Sequence, residues 1–315
     1  MKLTKKDAIQ IAKEYDLGKV KSIKIIEGGA VNYNFDLKTE KGNFILRIIG
    51  SNMNEVKKTR LNSEFKLLTY LHKKKFSYGI PVPIKNKNGI YLTKIAKYHV
   101  WVYKKIDGEL IKNYDKKTLK SVVKALATYH KYVKNLKIKN KRNLGSLKVL
   151  YKKYLIMKEV KSKNPKDVLM LENIDLFIDS FSKLKHIDFN INEVPIHYDF
   201  HKENLLFKDK KVIGIIDFER TFYAPRILDL AHLIKCTYES GDKFIERINF
   251  ILNEYDKVNV LTQKERSLIL PMLLRDNLVM FEKFYNAKGV MKTGNDGTIS
   301  CLKWTIDVHK KVLGF

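Results

Sequence analysis

Cysteine is nearly missing: Cys236 and Cys301 are the two in 315 residues, without metal-site spacing and too few for a disulfide framework. No apolar run could serve as a signal peptide or as a membrane span. A soluble protein of the cytoplasm, with no membrane partner, is therefore expected. Pro/Ser-rich linkers and internal repeats are missing too, which excludes a string of tethered modules and a solenoid. Acidic residues are in deficit, 34 against 62 basic ones, for a formal net charge of +28. The excess is lysine spread over almost every segment, while arginine is scarce. Nucleic-acid readers concentrate basic residues on one face and often interleave aromatics, so no specific nucleic-acid partner is expected. A diffuse positive field suits small anionic ligands instead.

What is present is concentrated chemistry. His197-Tyr198-Asp199-Phe200-His201-Lys202-Glu203-Asn204 is followed by Gly214-Ile215-Ile216-Asp217-Phe218-Glu219. Asp199 and Asn204 keep the H-x-D-x-x-x-x-N spacing of a phosphoryl-transfer catalytic loop, and Asp217 follows an apolar strand, where a second metal ligand is needed. Phosphoryl transfer asks a protein for positioning and charge neutralisation more than for covalent chemistry. Mg²⁺ takes hard oxygen ligands and keeps several waters, so one carboxylate and one amide oxygen suffice. Asp199 is the candidate base, with Asn204 and Asp217 the candidate metal ligands. Glu219 adds a carboxylate that could touch a metal or a cationic acceptor.

Local structure supports the placement. Val194-Pro195-Ile196 is an extended lead-in, since proline biases its predecessor to the β region. Leu205 to Phe207 and Val212 to Ile216 read as two short strands around a turn at 208–211. Such a hairpin brings Asn204 and Asp217 to the same open end.

At these residues the chain resembles the aminoglycoside-phosphotransferase-like small-molecule kinases, a superfamily that includes bacterial homoserine kinases, choline and ethanolamine kinases and spore-coat-associated kinase-like proteins. The resemblance runs from Gly28 to at least Ile234. It implies an α+β, bilobal protein-kinase-like fold with a small antiparallel-sheet N-lobe and a mostly helical C-lobe. It also implies ATP and Mg²⁺, and a small-molecule alcohol as acceptor. Two departures stand out: Tyr198 where the family usually has Gly, and Glu219 in place of the last Gly of D-F-G, a D-F-E similar to the choline-kinase branch. Pro225-Arg226-Ile227-Leu228-Asp229-Leu230-Ala231 matches the family's D-L-A segment, which makes Asp229 a brace for the catalytic loop.

The N-terminal part agrees. Glu27-Gly28-Gly29-Ala30-Val31-Asn32 resembles the family's glycine-containing nucleotide loop, with Gly28, Gly29 and Asn32 as candidate nucleotide contacts; glycine lets backbone approach phosphates closely. Arg47 in Phe44-Ile45-Leu46-Arg47-Ile48 stands where protein kinases carry their phosphate-binding lysine, and a guanidinium can clamp phosphate in two places. A helix with an apolar stripe at Val56, Leu61, Phe65, Leu68 and Leu71 follows, and Glu64 beside that stripe is the expected ion-pair partner of Arg47. Strands at 90–95 and 99–106 lead to a hinge. There Val102, Tyr103, Lys104 and Lys105 are candidates for adenine contacts through backbone groups, while the Trp101 and Tyr103 side chains read as core.

Asp107-Gly108 marks the passage between a nucleotide-binding lobe, 1–106, and a catalytic and acceptor-binding lobe, 107–315. His130 lies on the apolar face of a helix and reads as a satisfied core histidine. Residues 134–166 are Lys- and Asn-rich, consistent with a surface helix or with a loop. Leu261 through Asn286 reads as one long helix. Glu219, Arg220, Tyr223, Arg275 and Asp276 are acceptor-side candidates by position or charge.

The expected activity is ATP-dependent phosphorylation of a hydroxyl on homoserine, choline, or an amino alcohol or sugar. The alternative is a catalytically weak structural or interaction protein of the spore-coat-associated type. Nothing in the sequence fixes an oligomeric state.

Overall fold

The computed structural model describes residues 3–27, 32–50, 53–95, 98–140, 146–238, 243–285 and 296–314. The elements follow in order: α1 (Lys5–Glu14), β1 (Val20–Ile26), β2 (Tyr33–Thr39), β3 (Gly42–Ile48), α2 (Glu55–Lys73), β4 (Thr93–Ile95), β5 (Tyr98–Lys104), α3 (Lys116–Val133), α4 (Leu147–Lys158), α5 (Pro165–Leu171) and α6 (Ile174–Leu184). Then come β6 (Glu193–Ile196), β7 (Leu205–Lys208), β8 (Lys211–Ile215), β9 (Phe222–Pro225), α7 (Arg226–Thr237), α8 (Phe244–Asp256), α9 (Gln263–Ser267), α10 (Ile269–Glu282) and α11 (Asp296–Leu313). The fold is α+β, as expected: one small antiparallel sheet, then mostly helices. Among the described residues no helix is long and apolar enough to cross a membrane.

By compactness the chain forms two units. The first holds residues 1–125, 131–140 and 202–221; the second holds 126–130, 141–201 and 222–315. Neither unit ends at the expected boundary of 106/107.

The first unit is built on the sheet β1-β2-β3-β5-β4, with every neighbouring pair antiparallel. β3 is the central strand, and Phe44 through Ile48 are all buried, so both of its faces are covered. Strand periodicity then sorts its residues. Phe44, Leu46 and Ile48 join Val100 and Val102 in a core closed by Ala8, Ile11 and Ala12 of α1 and by Tyr15 just after it. The opposite face carries Ile45 and Arg47, paired in register with Tyr103 and Trp101. Phe65 of α2 covers this face edge-on to Trp101, with ring centroids 5.3 Å apart. Capping fixes both helix starts. Thr4 and Asp7 form a capping box on α1, and the Asn54 side chain accepts from Lys57 N–H on α2. Of the expected α2 stripe, Val56 alone is on the surface, 60% exposed.

The β7–β8 hairpin belongs to this first unit, because its backbone is stitched there. Gly79 N–H donates to Ile213 O at 2.8 Å, and Ile215 N–H donates to Gly79 O at 2.9 Å. Gly214 permits that approach: a Cβ there would come within 2.9 Å of Ile106 Cγ2. Asp209 and Lys210, at φ +50° and +62°, make the tight hairpin turn.

In the second unit, β6 pairs antiparallel with β9, α7 is almost wholly buried, and α10 buries more than half of its residues. The Lys- and Asn-rich stretch contains α4, whose Leu150, Tyr154 and Met157 form a buried stripe. The single helix expected over 261–286 is corrected to two. A Thr262–Glu265 capping box starts α9, and α10 begins anew at Ile269 with Pro271 in its first turn, where a missing N–H costs nothing.

Candidate active site

In the first unit, the end of the hairpin gathers the expected metal ligands. Asn204 closes a 3₁₀ turn (Lys202–Asn204) just before β7, and Asp217 comes two residues after β8. Ile216 N–H donates to Asn204 O at 2.9 Å, and Leu205 pairs with Ile215, so both residues sit at the same open end. Asn204 is 7% exposed. Asp217 lies in the left-handed region, at φ 61° and ψ 66°, a conformation Asp tolerates better than most residues. Buried Phe218 then anchors the turn. One carboxylate and one amide oxygen at one strand end, reached by backbone hydrogen bonding, form a donor set that fits Mg²⁺. Among the described residues no group of three His, Cys, Asp or Glu could hold a metal ion by itself.

Arg47 meets this end of the hairpin. Its Nη2 donates to Asp217 Oδ1 at 2.8 Å and to Glu219 Oε2 at 3.0 Å, and its side chain is 6% exposed. Asn32 donates through Nδ2 to the same Glu219 oxygen. The expected Arg47–Glu64 salt bridge is therefore corrected. Glu64 is buried, 3% exposed, and its Oε1 has no hydrogen-bond partner among the described residues. Burial pushes its carboxyl up to about 8, against the pull of the nearby guanidinium. The Arg47 guanidinium resists burial because Asp217, then Glu64 and Glu219, favour its charge. Tyr103 is buried, its ring 5.1 Å from that of Trp101, and burial raises its hydroxyl to about 12. Gly28 and Gly29 lie outside the described residues.

Asp199 belongs to the second unit. Its side chain is 14% exposed, and its Oδ1 lies 3.4 Å from His201 Nε2. Burial works against the imidazolium of His201, but the hydrogen bond to Asp199 and the nearby Cys236 and Asp199 charges together outweigh it, so its pKa is raised. The loop before Asp199 is braced by Asp229, which is fully buried. Asp229 accepts His197 N–H at 2.7 Å and Tyr198 N–H at 2.6 Å, and His130 Nε2 sits 2.9 Å from it. His130 Nδ1 reaches Tyr255 Oη at 2.8 Å, which makes it the satisfied core histidine expected. Burial would raise the Asp229 carboxyl; the His130 contact, together with His197, overcomes that and lowers it.

The pattern of residues in the catalytic loop has a counterpart among known proteins. The profile of the phosphotransferase enzyme family matches residues 22–259. The chain belongs to that family. A homoserine kinase of Bradyrhizobium diazoefficiens is 26% identical over 274 residues, covering 85% of this chain and 80% of that protein. Among solved structures, an amicoumacin kinase in complex with AMP-PNP, Ca²⁺ and its antibiotic superposes with a TM-score of 0.67 at 17% identity, covering 96% of this chain and 92% of that one. A microcompartment-associated aminopropanol kinase gives 0.68 at 14% identity, with 97% and 98% covered. The fold of this phosphotransferase is thus the protein-kinase-like fold of small-molecule kinases.

Several contacts in this phosphotransferase were not visible in its sequence. Glu219, read as an acceptor or metal candidate, is a partner of Arg47 and Asn32 instead. Asp276, read as an acceptor candidate, is 1% exposed and locked between Tyr198 and Lys235. The available signal was Lys235 itself, a lysine in the mostly apolar stretch 230–236 of α7, which demands a buried partner. Arg275 stacks over the Phe189 ring at 4.8 Å.

Proposed function

We propose that this phosphotransferase moves the γ-phosphoryl group of ATP to the hydroxyl of a small amino alcohol or hydroxy amino acid, with homoserine the first candidate. The reading is carried by one observation: the H-x-D-x-x-x-x-N loop is followed by a hairpin that returns Asp217 to the end occupied by Asn204. The curated relative named above, a homoserine kinase, and the structural neighbour named for aminopropanol both support a compact acceptor bearing an amine.

In this reading Asp199 takes or orients the acceptor's hydroxyl proton, a contribution of about 10²–10⁴-fold for a positioned base. Asn204 and Asp217 hold Mg²⁺, which when bound neutralises the charge of the transferring phosphates. Arg47 turns toward phosphate oxygens, Glu64 stands behind it, and Gly28, Gly29 and Asn32 line the phosphate end of the nucleotide. The backbone at Tyr103 and the residues after it receives the purine. Residues 1–106 then act as the nucleotide-binding lobe and 107–315 as the catalytic and acceptor lobe, in a cytoplasmic enzyme.

Two measurements test this. Mg-ATP at millimolar concentration should raise Tm, and Asp217→Asn should remove most of that gain. A phosphate-transfer screen against homoserine, aminopropanol, choline, ethanolamine, aminoglycosides and simple sugars should return turnover on one of the first four. No thermal response and no transfer would favour a scaffold that has lost its chemistry.

A further inference from the structure

Asp199 is preceded by an aromatic residue in a conformation that aromatic residues avoid. Tyr198 has φ +58°, in the left-handed region where a Cβ crowds the following carbonyl oxygen. Such a backbone persists only where its surroundings over-determine it. Here they do so from two sides. The N–H groups of His197 and Tyr198 are held by the two oxygens of Asp229, at 2.7 and 2.6 Å. The side chain, 2% exposed, is held from the other direction: Tyr198 Oη donates to Asp276 Oδ1 at 2.8 Å.

Asp276 is itself immobilised. Its Oδ2 accepts from Lys235 Nζ at 2.7 Å, with His232 Nδ1 at 3.5 Å from the same oxygen. Asp276 and Lys235 are each 1% exposed. The tyrosine ring is confined by Phe222, edge-on at 5.1 Å, and by His232 at 5.3 Å. A buried ion pair adds little net stability over apolar groups of the same shape. What it supplies here is a carboxylate fixed in place. A mere cross-link between α7 and α10 would need Lys235 and Asp276 alone; the tyrosine hydroxyl would be superfluous.

We propose that Tyr198 is a positioning residue for Asp199, with Asp276 as its anchor. The hydroxyl–carboxylate bond fixes the ring, the ring fixes the left-handed turn, and the turn aims the next side chain. This rests on the reading of Asp199 as the base, so the test includes Asp199→Ala. Initial rates are measured with Mg-ATP and homoserine or another acceptor returned by the screen, or as acceptor-free ATP hydrolysis if none is returned.

Tyr198→Phe keeps the ring and loses the bond; its kcat should fall at least roughly 10-fold, as loss of alignment does, with KM for ATP within about twofold of wild type. Asp276→Asn should lower kcat similarly, and the double variant should be no slower than either single one, because both cut the same route. Tyr198→Gly accepts the left-handed turn without a side chain; it should recover part of the lost rate and be indifferent to Asp276→Asn. Wild-type kcat in Tyr198→Phe, or losses that multiply in the double variant, would overturn the proposal. If Asp276→Asn does not fold, the Phe and Gly variants at 198 decide between them. An Asp199→Ala enzyme with full turnover sinks the base assignment and this inference with it. A dead Asp199→Ala beside a fully active Tyr198→Phe sinks the inference alone.

Discussion

Replacing Arg47 by methionine keeps the length of the side chain and removes the cation on which two carboxylates converge. The two contacts run from one nitrogen, at 2.8 Å to Asp217 and 3.0 Å to Glu219. A hydrogen bond to a charged group contributes about 1.5–3 kcal/mol where it is fully buried. The guanidinium side chain is 6% exposed, but the carboxylates are 34% and 32% exposed, so solvent screens each contact to roughly half that figure or less. Two further effects nearly offset one another. The carboxylates left behind repel across a short gap, while methionine avoids the desolvation that burying a guanidinium costs. A net loss of about 2 kcal/mol follows. For a 315-residue chain with an unfolding entropy near ~2.1 cal/mol/K per residue, that is a fall in Tm of about 3 °C.

The assay is differential scanning calorimetry without nucleotide or divalent ion, at low and at moderate salt. Arg47→Lys should lose about half as much, because an ammonium lacks the planar fork and is more strongly hydrated. Raising the salt should narrow the gap between wild type and Arg47→Met, since partners a third exposed are screened. Combining Arg47→Met with Asp217→Asn should cost less than the sum of the two, as contacting groups do. A methionine variant that melts at or above the wild-type temperature would show that the guanidinium is not what holds this end of the hairpin.

Glu64 gives a test by pH. Its carboxyl is raised from an ordinary value near 4.5 to about 8, so the native state keeps a proton that the unfolded chain releases; stability should fall as pH rises through that window. Glu64→Gln should flatten this part of the Tm–pH curve in nucleotide-free protein, and parallel curves for variant and wild type would exclude a buried neutral Glu64. Asp229→Ala removes the acceptor of two backbone N–H groups and the partner of His130. A loss of about 3–5 kcal/mol is expected, read by urea unfolding; a loss under about 1 kcal/mol would mean water replaces the carboxylate.

What could be read from the sequence was what the chain settles locally. The hairpin follows from two short apolar runs on either side of a lysine-rich polar turn, and the spacing of Asp199, Asn204 and Asp217 needs no knowledge of distant residues. Asp229 came with its own motif. The stripe of α4 was present as Leu150, Tyr154 and Met157, but lysine and asparagine around it left a surface helix and a loop equally open. The left-handed turn at Tyr198 could not be read, since its support is non-local: the hydroxyl's partner is 78 positions away. A tyrosine beside an aspartate in an H-x-D loop carries no mark of a positive φ.

The misassigned partner of Arg47 shows where pattern reasoning loses to energetics. Three carboxyls lie within electrostatic reach of the guanidinium: Asp217, Glu64 and Glu219. Position on the following helix favoured Glu64, and that helix does cover the right face of the sheet. Yet the carboxyl that wins a cation is the one that remains ionised at least cost. Glu64, 3% exposed, is deep enough to keep its proton at neutral pH, and a protonated carboxyl is a weak partner. Asp217 and Glu219 keep about a third of their side-chain surface in water, so pairing costs them less desolvation, and both take the guanidinium. The same ordering has a consequence for function. If Asp217 holds Mg²⁺ as proposed, its carboxylate is the one Arg47 already pairs with, so the cation must compete with Arg47 for it. Weakening Arg47 should therefore tighten the binding of a divalent ion alone while loosening that of the nucleotide, two effects of opposite sign that a titration with Mg²⁺ and one with ATP separate.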